Sequence, residues 1–181
     1  MIDDRTPGHD PARRERHRLI ARLLRRALGE QRRTCVVGCV GFPDEQELLG
    51  RDLSLMTLVD PDASTTAALR RRFGEAIVIE TSPPSPFLAR CRSNGERFDL
   101  VILPGLADRT DDEVLGTLLG EMAGSLNDGG CVLLVAHVST SRLTGRTLGD
   151  LVRLFERAVG PIDVSAHREG DLAVLSGQLR A

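Results

Sequence analysis

The sequence predicts a three-layer α/β sandwich, a seven-stranded mostly parallel sheet closed by a C-terminal antiparallel hairpin strand. Three observations carry this reading. Short apolar runs alternate with segments of helical periodicity along most of the chain. The first five runs are apolar on nearly every residue, the pattern of strands buried on both faces by helices. The last two alternate around a tight turn, which reads as a hairpin.

Residues 1–10 are polar with Pro and Gly and read as a disordered tail. Within 11–33, Leu19, Ile20, Leu23, Leu24, Ala27 and Leu28 fall at helical spacing among the seven Arg of 11–29, giving a basic amphipathic helix that ends at Gly29. The α/β domain follows over 34–181. Its first strand is 35–40, and 43–49 opens with Pro, Asp and Glu as a helix start does. The second strand is 53–60, with a helix over 61–73, and the third is 76–80. Residues 81–86 (TSPPSP) hold three prolines and are excluded from a helix interior. The fourth strand is 98–103, a helix spans 111–126, the fifth strand is 131–138, and a helix spans 147–159. Strands over 162–167 and 171–176 form the hairpin, the latter inserted between the former and the fifth strand.

Composition excludes several chemistries. All 24 basic residues are Arg, and Lys, Tyr and Trp are absent. That removes a P-loop Lys, a Schiff base, a kinase-type Lys and the Tyr/Lys pair of short-chain dehydrogenases. The net charge of −2 conceals a basic head on an acidic body, since residues 1–33 carry 10 Arg and 5 acids. The four Cys form no C-x-x-C pair, and Cys35, Cys39 and Cys131 lie in or beside apolar runs, so they read as reduced, buried thiols. With no run as long as the roughly 20 residues of a membrane span, the expectation is a soluble cytoplasmic protein.

Four segments in order resemble the class I S-adenosylmethionine-dependent methyltransferases, whose fold is Rossmann-like. Residues 36–41 (VVGCVG) stand where that family has its glycine-rich first motif, contributing Gly38 and Gly41. Residues 58–64 (LVDPDAS) are similar to its second-strand motif, so the resemblance implies that Asp60 holds the ribose hydroxyls. Glu80, at the third strand's end, matches an acid near the adenine amino group. Residues 98–135 resemble the fourth strand, the following helix and the L-x-x-G-G-x-L approach to the fifth strand, which places Leu103 at the cofactor. The implied cofactor is S-adenosylmethionine, and no metal is implied.

Physical chemistry agrees with that cofactor. Ligands of open α/β sheets bind beyond the carboxyl ends of the strands where strand order reverses. A carboxylate there accepts hydrogen bonds from a diol and suits a cationic sulfonium. Asp44, Glu45 and Glu47 at the start of the next helix oppose a phosphate. The glycine motif departs from the family's acid-x-Gly-x-Gly-x-Gly: Val36 replaces the acid, Val40 the second Gly and Phe42 the third.

His137, near the end of the fifth strand, is the candidate general base, with a satisfied strand-end His as the plainer reading. Asp60 has a plainer reading as a helix N-cap, and Asp99 reads as structural. Pro104 and Gly105 replace the Asn/Asp-Pro-Pro-aromatic motif of base amino-methylating relatives, and no Cys follows the fourth strand as in pyrimidine C5 methylation. The basic helix has three readings: a solvated face, a cover for the substrate pocket or a contact with a second subunit, and a site for RNA or an anionic membrane. With aromatics at 3%, single-stranded nucleic acid is disfavoured. Two functions stand: methyl transfer to a small-molecule acceptor, or a non-catalytic methyltransferase-like partner or regulatory subunit of another protein.

Overall fold

Strand β1 (Thr34–Val37) is buried on all four residues, so it must lie at the centre of a sheet covered on both faces. The computed structural model describes residues 11–39, 51–138, 145–160, 162–169 and 171–179. Among these the sheet has seven strands in the order β3-β2-β1-β4-β5-β7-β6. The others are β2 (Met56–Asp60), β3 (Val78–Thr81), β4 (Phe98–Pro104), β5 (Leu126–His137), β6 (Ile162–Glu169) and β7 (Leu172–Leu179). The strands β3, β2, β1, β4 and β5 run parallel. Strand β7 is antiparallel to both β5 and β6, which is the inserted hairpin strand the sequence predicts.

The helices sort onto two faces by strand alternation. Val37, Val59, Val101, Leu103 and Leu134 pack with α3 (Pro84–Ser93), α4 (Asp112–Ala123) and α5 (Leu148–Val159). Val36, Leu58, Leu100, Ile102 and Leu133 pack with α1 (Pro11–Gly29) and α2 (Ala63–Phe73). The predicted inner face of α1 is largely the observed one, with Leu19, Ile20, Leu24, Ala27 and Leu28 buried. Its end differs in detail, because the left-handed residue is Gln31, at φ 55°, and not Gly29.

Several boundaries depart from the sequence reading, and three of them carry a structural lesson. Helix α3 begins within the proline run at 83–86, because Pro84 and Pro86 occupy the first turn, where backbone N–H groups have no helical acceptor to lose. Residues Leu53–Leu55 form a 3-10 turn capped by Asp52, so β2 starts at Met56. Strand β5 begins at Leu126, inside the segment read as helix end and turn, and β4–β5 pairing slips between Phe98 and Leu100. Residues 1–10, read as a tail, and 43–49, read as a helix, lie outside the described residues. Among the described residues no helix is long and apolar enough to cross a membrane.

Candidate ligand crevice at the strand ends

From β1 the chain steps outward through β2 to β3 and then returns to β4 on the other side. Strand order therefore reverses between β1 and β4, and a crevice opens beyond their carboxyl ends. Strand β1 runs out into Gly38, whose φ of 76° is a left-handed conformation that glycine adopts without Cβ strain. The Gly38 N–H donates to the Val59 carbonyl at 2.8 Å, continuing the ladder into the turn.

Asp60 ends β2 with its side chain buried. Its Oδ2 accepts the Cys39 N–H at 2.7 Å and its Oδ1 accepts the Asp62 N–H at 2.9 Å. The carboxylate thus ties the β1 turn to the β2 turn and brings Gly38 and Asp60 together. It is not the N-cap of α2. That role belongs to Asp62, which accepts the Ser64 N–H at 2.9 Å and the Thr65 N–H at 3.3 Å. Hydrogen bonds, led by the Ser64 hydroxyl, hold the Asp62 carboxyl down to about 2.

Glu80 pairs in register with Val59, and Asp60 pairs with Thr81, so Glu80 and Asp60 stand on opposite faces of the sheet. Glu80 is partly exposed and bonds to Arg90 of α3 at 3.3 Å. Leu103 is fully buried in the core under α3, α4 and α5, which leaves its backbone and the following Pro104 and Gly105 to form the rim. Gly41, with Val40 and Phe42, lies outside the described residues.

Gly105 is a second left-handed turn glycine, at φ 96°. Over it lies the guanidinium of Arg16 from α1, where a Cβ on Gly105 would stand 2.9 Å from Cζ. Arg16 is ion-paired to Asp108, and the same carboxylate's Oδ1 accepts the His137 N–H at 2.8 Å. Helix α1 therefore buries its apolar side and also reaches over the end of β4. Sequence reasoning did not single out Arg16 or Asp108. Arg16 is one of many Arg on its helix and its partner lies 92 residues away, so no local pattern marks the pair.

Beyond the ends of β4 and β5, described residues including Ala107, Asp108, Glu113, His137, Arg146 and Arg157 line a cleft with many charged side chains. Arg146 fixes its floor by donating to the Ala107 and Thr110 carbonyls and to Asp112 Oδ1. His137 is half-buried on this wall, at the end of β5 opposite Leu172. Asp99 is structural, since it sits at the far end of β4 and accepts from Arg33 N–H at 2.8 Å and Asn127 Nδ2 at 2.7 Å. Burial is the first cause raising all four thiols, Cys35, Cys39, Cys91 and Cys131. None offers a ready thiolate nucleophile.

No protein-family model matches the chain, and no curated protein matches it by sequence. Solved structures do match in three dimensions. The N-methyltransferase NodS of Bradyrhizobium japonicum, in complex with S-adenosylhomocysteine, superimposes with a TM-score of 0.67 at 16% identity, over 96% of this chain and 90% of that one. The 1,6-didemethyltoxoflavin-N1-methyltransferase of Burkholderia thailandensis gives 0.64 at 19% identity, over 92% of this chain and 79% of that one. An O-methyltransferase family protein from Burkholderia thailandensis gives 0.62 at 17% identity over 96% of this chain, which spans 61% of that protein's length. Set beside the observed strand order and the inserted β7, these matches show that the chain has the fold of the class I S-adenosylmethionine-dependent methyltransferases.

Proposed function

We propose that the chain binds S-adenosylmethionine in the crevice between β1 and β4 and transfers its methyl group to a small-molecule acceptor in the adjoining cleft. The observation that carries this is the junction of Asp60 with the Gly38–Cys39 turn at the point of strand reversal. The junction fits the adenosine half of the cofactor. Each Asp60 oxygen accepts one N–H and keeps a further lone pair, so the carboxylate can brace the turn and still accept from ribose hydroxyls. Among the described residues, a Cβ at Gly38 would meet Leu106 Cβ at 3.5 Å, so the glycine leaves the turn backbone uncovered beside Leu106. Glu80, at the end of β3, is the candidate acceptor for the adenine amino group, and the Gly38, Leu103 and Gly105 backbones line the floor. Gly41 is assigned to the same site from the sequence.

When bound, the cofactor supplies a methyl group on a positively charged sulfur, a good leaving group that asks for alignment more than for acid or base. The chain's own task is to orient the acceptor and take up its proton. The His137 imidazole on the cleft wall is the group proposed to accept that proton. Its backbone is held by Asp108, so the side chain approaches the cleft from a fixed origin. NodS and the 1,6-didemethyltoxoflavin-N1-methyltransferase are N-methyltransferases, and the third match is an O-methyltransferase family protein. These resemblances support a small-molecule acceptor without selecting the atom methylated.

Calorimetry with S-adenosylmethionine and S-adenosylhomocysteine tests the reading. Micromolar binding that weakens roughly tenfold or more in Asp60→Asn supports it, by the loss of a charge-assisted hydrogen bond. Heat-silent titrations at millimolar ligand refute it.

A further inference from the structure

The sheet ends in two edges that differ in how they are protected. Strand β3 is blunted, being four residues long with its Ile79 carbonyl taken by Arg70 of α2 at 2.7 Å. The other edge is β6, with eight residues in unbroken register against β7 and neither a proline nor a bulge. Among the described residues no strand lies beyond it. Its outer row of backbone N–H and C=O groups is therefore a template for one more strand. Asp163, Ser165, Ala166, His167 and Arg168 are all exposed, so both faces of β6 leave room for a neighbour.

The strand is also self-complementary. Two copies of β6 paired antiparallel about a two-fold axis make an isologous contact, the same patch meeting itself. Successive pairs in such a ladder alternate between hydrogen-bonded and non-hydrogen-bonded, so the axis must pass through a residue that faces its own copy. Centred on Val164, the ladder is limited to residues 162–166. Centred on Ala166, it sets Asp163 against Glu169 of the second copy, an acid against an acid. Centred on Ser165, it sets Asp163 against His167, Val164 against Ala166 and Ser165 against itself. A carboxylate then faces a ring that can donate to it, and like charges are kept from standing opposite one another. Val164, which packs against the core that α5 covers, gains an apolar cross-strand neighbour. We infer that β6 pairs antiparallel with β6 of a second copy of this chain, centred on Ser165, and joins the two seven-stranded sheets into one. The inference does not rest on the cofactor reading.

Sedimentation equilibrium of the full chain over a concentration series tests it. A single strand edge is a small interface, so the dimer should form in the micromolar range. There the wild type should rise from the 19.7 kDa of one chain towards twice that mass. Ser165→Glu and Ser165→Arg each place like charges opposite one another at the axis, at the cost of one exposed hydroxyl contact with Ser176. Each variant alone should keep the one-chain mass, and an equimolar mixture of the two should recover the two-chain mass. Circular-dichroism melts report that the variants are folded. If either variant fails to fold, hydrogen exchange of the wild type decides, with protection of the β6 amides expected to rise across the same concentrations. A wild type that stays at one-chain mass, or β6 exchange that ignores concentration, overturns the pairing. A dimer that both variants retain places the interface elsewhere and overturns it too. A mixture that fails to reassociate overturns the Ser165 register.

Discussion

Asp60 has two jobs that pull in different experimental directions. As a brace it satisfies the N–H groups of Cys39 and Asp62, and as a proposed ribose acceptor it keeps lone pairs for a ligand. Asp60→Ala should therefore lower stability by about 1–3 kcal/mol, the cost of stranding a buried donor such as the Cys39 N–H, as read by urea unfolding without ligand. An unchanged urea midpoint would show that the brace carries no weight. Asp62 makes a separate, pH-dependent contribution. Its carboxyl is held down to about 2 from an ordinary value near 3.8, so the native state favours the ionised form. The resulting stabilisation is complete above about pH 4 and is lost as pH falls towards 2. Asp62→Ala should lower the thermal midpoint at pH 7, and the difference from wild type should close across that acid window. A constant difference from pH 7 to pH 2 would contradict the capping assignment.

At the scale of elements, the join between α1 and the end of β4 is the feature most open to test. Gly105→Ala introduces a Cβ into the Arg16 guanidinium and strains a backbone at φ 96°. Hydrogen exchange in the first half of α1 should quicken while the second half, packed through Leu24, Ala27 and Leu28, keeps its protection. Uniform exchange along α1 would mean the contact does not hold the helix down. Helix α5 offers a simpler check, since Thr147 and Asp150 form a reciprocal capping box, and Thr147→Ala should cost about 1 kcal/mol. The elements also show which signals were legible in the sequence. Buried strands announced themselves because β1 and most of β4 and β5 are apolar at successive positions. Helix α3 did not, because prolines that forbid a helix interior are tolerated in a first turn, and the sequence alone does not say which of the two a proline run will be. Of the candidate site, Gly38 and Asp60 were readable as strand-end residues. Arg16 and Asp108 were not, because their significance lies in a contact between distant segments.

At the scale of the whole molecule, four segments meet at the strand ends: the β1 turn, the end of β2, the end of β4 and the N-terminal helix, which reaches over Gly105. Val40→Gly extends the test into the first motif, where the family has glycine. If the branched side chain crowds the amino-acid end, the substitution should tighten S-adenosylhomocysteine binding while lowering stability by up to about 1 kcal/mol. Weaker binding would instead make Val40 part of a working pocket. The most direct measurement is a crystal structure with S-adenosylhomocysteine. Ligand density is expected beyond the carboxyl ends of β1 and β4, with the ribose hydroxyls on Asp60. Density for the ligand outside that crevice, or with its ribose away from Asp60, would contradict the cofactor reading.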